Sequence, residues 1–130
     1  MIDHLSTYAV DFSATKLFYQ KVFATLGYTI QCELESDWDD GSLGRRICAF
    51  GHNDKSTFWI IESASPSTGR HVAFKANNRQ QVDAFYNAAM NAGAADNGVP
   101  GLRPEYHENY YAAFVIDPDG NDIEAVCHSG

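Results

Sequence analysis

The sequence predicts an α+β fold in which two paired βαβββ modules form a curved mixed sheet. Three observations predict it. Strand-like and helix-like periods alternate in a fixed order, that order occurs twice, and one small polar segment separates the two copies. In the first copy His4 is followed fourteen residues later by Phe18-Tyr19; in the second, His71 is followed fourteen residues later by Phe85-Tyr86. Agreement of order, length and offset marks an internal repeat. With 130 residues, 45% hydrophobic and 13% aromatic, the chain is the size of one domain and too apolar to stay disordered. Module 1 covers residues 1–62, the linker 63–70 and module 2 residues 71–130.

Each element has its own signal. His4 to Val10 suits a strand, and Asp11 and Ser13 offer N-caps for a helix. From Ala14 the period becomes helical, with Phe18, Val22 and Leu26 four residues apart and Gly27 at the C-terminal cap. Tyr28 to Leu34 reads as a strand, Trp38-Asp39-Asp40-Gly41 as a turn, and Arg46 to Gly51 and Thr57 to Glu62 as strands around a polar turn at His52–Lys55. The segment SASPSTGR (63–70) is the linker. His71 to Ala76 restarts the pattern as a strand, and Val82, Phe85, Tyr86 and Ala89 define an amphipathic helix ending near Gly93. Asn97 to Pro104, rich in Gly and Pro, reads as a loop. Tyr110 to Ile116 and Asn121 to Cys127 are strands around the tight turn Asp117-Pro118-Asp119-Gly120.

Composition excludes several function classes. Nine Lys and Arg against seventeen Asp and Glu give a net charge of −8, and Arg45-Arg46 is the longest basic run. Nucleic-acid and anionic-membrane partners both need a basic face. Three cysteines, Cys32, Cys48 and Cys127, form no CxxC pair, so they read as reduced structural thiols. No secretory signal and no membrane-span window is visible, which points to the cytoplasm. Phosphate loops, dinucleotide fingerprints and nucleophile elbows are absent from the sequence.

Taken together, HLSTYAVDFSATKLFYQKVFATLGY, HVAFKANNRQQVDAFYNAAMNAG and YAAFVIDPDGNDIEAV resemble the vicinal oxygen chelate superfamily. That group includes glyoxalase I, extradiol dioxygenases, bleomycin-resistance proteins and fosfomycin-resistance thiol transferases. The resemblance spans nearly the whole chain, and its most specific piece is DPDG followed by Ile123-Glu124 on the last strand. It implies a cup-shaped course of the curved mixed sheet around a small-molecule cavity and, as in many members, homodimers made by edge pairing or module exchange. Because the fold hosts several chemistries, function has to be sought in the site.

Strand alternation places candidate ligands. If Leu5, Thr7 and Ala9 face the helix layer, His4 faces the other side; likewise Val72, Phe74 and Ala76 leave His71 on the open face, and Ile123 and Ala125 leave Glu124 there. Two imidazoles and one carboxylate are a set that holds Zn²⁺, Ni²⁺, Fe²⁺ or Mn²⁺ with positions left open. By resemblance, His4, His71 and Glu124 match three of the family's four ligand positions. The fourth aligns with Trp59, which cannot ligate, and Glu62 lies on the opposite strand face. Glyoxalase I-like members use four protein ligands and extradiol dioxygenase-like members two His and one Glu, so the set here is nearer the second.

A further cluster, Arg103, Tyr106, His107, Tyr110 and Tyr111, lies in GLRPEYHENYY. Arg103 suits an anionic group, Tyr106 and Tyr111 an aromatic one, and His107 or Tyr110 the movement of a proton. Trp38 and Trp59 are candidates for an apolar pocket wall. Two functions stay open at this point. One is a metal-dependent lyase or dioxygenase acting on a small substrate chelated through adjacent oxygens. The other is a metal-free drug- or metabolite-binding protein whose cavity is lined by Trp38, Trp59 and the tyrosines.

Overall fold

The computed structural model describes residues 1–36 and 45–130. Its elements run β1 (Leu5–Ala9), α1 (Phe12–Ala24), β2 (Thr29–Ser36), β3 (Arg45–His52), β4 (Lys55–Glu62), β5 (His71–Lys75), α2 (Arg79–Asn91), β6 (Ala95–Leu102), β7 (Tyr111–Ile116) and β8 (Asp122–Cys127). Two four-stranded mixed sheets result, ordered β1-β4-β3-β2 and β5-β8-β7-β6. In each, the first strand pairs in parallel with the last and the remaining ladders are antiparallel. The repeat in the sequence is therefore a repeat of topology.

The helix starts obey the expected chemistry. Asp11 Oδ1 accepts from the Ala14 amide at 3.1 Å and caps α1; Asn78 Oδ1 accepts from Gln81 at 2.8 Å and caps α2. Each cap satisfies an amide that the first helical turn leaves without a partner. Asn53 and Asp54, with φ of 55° and 62°, make the left-handed pair a tight β3–β4 hairpin requires.

The segment expected as a loop, Asn97 to Pro104, is mostly strand: β6 covers Ala95–Leu102. The correction has a physical reason. β6 is the outermost strand of its sheet, where Pro100 removes no central ladder bond. Register shifts on either side of Gly98 absorb the glycines as bulges. The turn expected at Trp38–Gly41 lies outside the described residues.

The helix-facing sides of both sheets share one core with the helices. Phe23 of α1 meets Phe50 and Phe58 of its own sheet at 5.3 and 5.4 Å between ring centroids, and Phe74 of β5 at 4.8 Å. Fully burying a ring of this size contributes about 2–3 kcal/mol, before its edge-to-face contacts are counted. The DPDG turn of module 2 also holds α1 of module 1. The hydroxyl of Tyr19, a fully buried side chain, donates to Asp117, and Thr15 Oγ1 donates to Asp119 Oδ2 at 2.8 Å. Burial pushes the Tyr19 phenol well above its ordinary pKa, and the Asp117 charge adds to the shift. The linker is strapped along β1 through Ser67, which exchanges backbone and side-chain bonds with Tyr8 at 2.8 and 3.0 Å.

Candidate functional site

Alternation along β1 and β5 is as expected: Thr7, Ala9 and Ala76 are buried toward the helices, whereas Tyr8 and Lys75 are exposed. The two ladders are superimposable in register. Ser6 pairs with Trp59 on β4, and Ala73 pairs with Glu124 on β8. His4 and His71 each stand two residues before the paired residue, on the same face. Trp59 is thus the module 1 counterpart of Glu124, the position the alignment of the two copies assigned to it.

The two half-sites are built differently. In module 2, His71 Nε2 lies 2.8 Å from Glu124 Oε1, and the Tyr110 hydroxyl donates to Glu124 Oε2. Glu124 is only 1% exposed, far from the open carboxylate a two-sided sheet would offer, because these two side chains cover it. Burying a carboxylate is costly unless its oxygens are bonded, and here both are. Burial raises the Tyr110 phenol above its ordinary pKa, and the bond to Glu124 adds to the rise. In module 1, His4 instead meets the edge of the Trp59 ring at 6.5 Å, and its Nδ1 lies 2.7 Å from Asp3 Oδ1. The hydrogen bond with His4 holds the Asp3 carboxyl below its usual pKa.

The loop cluster closes over one side of this face. His107 Nε2 is 2.9 Å from His128 Nδ1, their rings stack, and both pack edge-on against Tyr110. Tyr106 lies 4.9 Å from Tyr110 between ring centroids. Arg103 lies over the Phe114 ring at 5.4 Å, and Phe114 pairs with Glu124 across β7 and β8.

The structure therefore brings together His71, Glu124, Tyr110, His107, Tyr106 and Arg103. It sets Tyr111 apart. That residue faces α2, where its hydroxyl donates to Asp83 at 2.7 Å and Arg79 covers its ring. His4 and Trp59 lie together on the first sheet, and Trp38 is outside the described residues. Among the described residues, no three His, Cys, Asp or Glu side chains are grouped closely enough to hold a metal ion.

Phe114 and Asp122 of this face were not singled out from the sequence, and His128, four residues after Glu124 on the same alternation face, was given no role there. Phe114 is the ladder partner of Glu124 on β7, which alternation along one strand does not reach. Asp122 stands two residues before Glu124 on β8. Its Oδ2 lies 3.9 Å from His71 Nε2, and its Oδ1 is buried without a hydrogen-bond partner.

The family model of the Glyoxalase/Bleomycin resistance protein/Dioxygenase superfamily matches residues 1–125. No curated protein matches the sequence. Among solved structures, a glyoxalase/bleomycin resistance protein from Albidiferax ferrireducens T118 is 27% identical, with 96% of each chain covered and a TM-score of 0.72. A mutant of glyoxalase I from Zea mays is 22% identical with a TM-score of 0.73, over 96% of this chain and 46% of that one. The fosfomycin resistance protein FosX from Mesorhizobium loti is 21% identical with a TM-score of 0.65, over 100% and 91%. The last two likenesses speak to the fold alone. Among the described residues, no helix is long and apolar enough to cross a membrane.

Proposed function

We propose, from the premise that the chain belongs to the Glyoxalase/Bleomycin resistance protein/Dioxygenase superfamily, that it is a metal-dependent enzyme acting on a small substrate with adjacent oxygens. The observation that carries this is Glu124, a buried carboxylate bonded on one oxygen by His71 and on the other by Tyr110. The donor chemistry fits a divalent transition metal. An imidazole and a carboxylate are already side by side, and the orphaned Asp122 Oδ1 is an acceptor that a nearby cation would satisfy. His71 and Glu124 would be ligands. His4, whose Nδ1 is engaged by Asp3, would present its Nε2 as the third, in the carboxylate–histidine arrangement typical of metal ligands. Since His4 and His71 sit on different sheets, a homodimer that sets module 1 of one copy against module 2 of another would complete the set.

A bound ion would supply Lewis-acid polarisation of the substrate oxygens. The chain's own residues divide the remaining work. Tyr110 keeps its proton at neutral pH, because its pKa is raised; it orients Glu124 and is no base. His107, exposed and hydrogen-bonded to His128, is the imidazole placed at the rim of this face to pass a proton between ligand and solvent. Tyr106 and the Phe114 ring form apolar walls.

The second reading, a metal-free small-molecule binding protein, is favoured by one observation: Trp59 stands where module 1 would otherwise offer Glu124's counterpart. Elemental analysis of untagged protein, before and after stripping and reloading with Zn²⁺, Ni²⁺, Fe²⁺ and Mn²⁺, decides between them. Near-stoichiometric metal that is lost in His71→Ala and Glu124→Gln, with folding intact, supports the enzyme. Protein that takes up no metal on reloading removes the triad and leaves the binding protein.

A further inference from the structure

We propose that Arg103 is the specificity residue of the site, and that the ligand is a small oxyanion whose carboxylate or phosphate-type group is gripped by this guanidinium. The inference rests on reading the Glu124 face as the ligand site, and it names the class of molecule that enters. Across the second sheet, Ala73, Glu124, Phe114 and Gly98 form one register row. The Arg103 guanidinium lies over Phe114, in the space two glycines leave. A Cβ on Gly98 would come within 3.2 Å of Arg103 Nη2, and one on Gly101 within 3.2 Å of Nη1. Side chains at both positions would push the guanidinium off the ring.

Its donors are only partly used. Nη2 donates to the Val99 carbonyl at 2.7 Å, and among the described residues no carboxylate lies within ion-pair distance of Arg103. Glu124, one strand from Phe114, already has a partner on each oxygen, His71 and Tyr110. By contrast Arg46 is paired with Glu62 at 2.8 Å. A half-buried guanidinium, held flat by cation–π contact and one carbonyl, keeps the planar fork that grips an oxyanion through two parallel bonds. Strand spacing sets it about 5–10 Å from Glu124, a span one small bifunctional molecule bridges. The net charge of −8 disfavours anions elsewhere on the surface, so binding here would be local.

The test is a titration of isotope-labelled protein, as purified, with inorganic phosphate at neutral pH, followed by amide NMR. A saturable, about millimolar response centred on Gly98, Gly101 and Phe114 is expected. Arg103→Gln should abolish it. Arg103→Lys, which keeps the charge but not the fork, should weaken it by about tenfold. Gly101→Ala should weaken it with the charge intact, and Arg46→Gln should leave it unchanged. A response that survives Arg103→Gln, falls equally in Arg46→Gln, or never saturates overturns the proposal. Metal content measured on the same samples separates the two readings. Phosphate binding without metal uptake removes the metal reading alone; metal uptake without phosphate binding removes this one alone.

Discussion

Replacing Tyr110 by Phe deletes one oxygen and leaves the ring that His107, His128 and Tyr106 pack against. What is lost is the donor on Glu124 Oε2. A hydrogen bond to a charged group is worth about 1.5–3 kcal/mol when its removal strands a buried partner, and Glu124 is 1% exposed. With an unfolding entropy of about 2.1 cal/mol/K per residue, 130 residues give about 0.27 kcal/mol/K, so Tm should fall by about 6–11 °C. Tyr110 itself is half-buried, and water reaching Oε2 would hold the loss at the lower end. Thermal unfolding followed by circular dichroism reads this directly. The pH dependence adds an independent check. A phenol whose folded pKa is raised stabilises the fold fully below the unfolded value of about 10 and loses that contribution as pH climbs through the folded value. The gap between wild type and Tyr110→Phe should therefore be constant through neutral pH and shrink above about pH 10. A Tm change under about 1 °C, or a gap that widens in alkali, would refute the account of Glu124 as a carboxylate held by Tyr110.

Asp117→Asn should destabilise the chain by about 2–4 kcal/mol in urea unfolding, since the carboxylate accepts from Tyr19, from Asn121 and from the Asp119 and Asn121 amides; an unchanged midpoint would contradict that network. With 5,5′-dithiobis(2-nitrobenzoate) near pH 8, one thiol per native chain should react promptly. Half-buried Cys32 is that thiol; Cys127 is buried, and burial pushes buried Cys48 up to about 12, so three fast thiols would be the contrary result. Hydrogen bonds from Arg46 hold the Glu62 carboxyl below its usual pKa, which places the stability from this pair above the ordinary glutamate value and removes it as pH falls. Arg46→Gln should accordingly show a small, salt-sensitive deficit at pH 7 that vanishes below about pH 4, as measured by denaturant midpoints.

The fold was legible in the sequence where one physical rule acted alone. Cap and apolar period marked α1, which starts two residues before Ala14 because Asp11, not Ser13, supplies the cap, and apolar period alone marked α2, whose cap Asn78 had not been singled out. Turn chemistry fixed the hairpin at Asn53-Asp54. It was not legible at β6, where Gly98, Pro100 and Gly101 carry the signature of a loop and only the position at a sheet edge makes them a strand. Edge position is a property of topology, and no local pattern announces it. The glycines that hid the strand are the same ones that make room for Arg103, so the misread segment and the cradle of that guanidinium are one feature.

The candidate site was legible one module at a time. His71 and Glu124 emerged from strand alternation, and the ladder registers place Trp59 as the counterpart of Glu124 and His4 as that of His71. Alternation says which face a side chain takes; it does not say which neighbours will cover it, and so Glu124 looked open when it is buried. Nor does it tell whether two equivalent faces meet. The two modules share a backbone and spend equivalent positions differently: one carries a buried, doubly bonded carboxylate, the other an indole beside an imidazole tied to Asp3. A duplicated fold holds its backbone register while each copy fills it for itself: the same position carries a bonded carboxylate on β8 and an indole on β4.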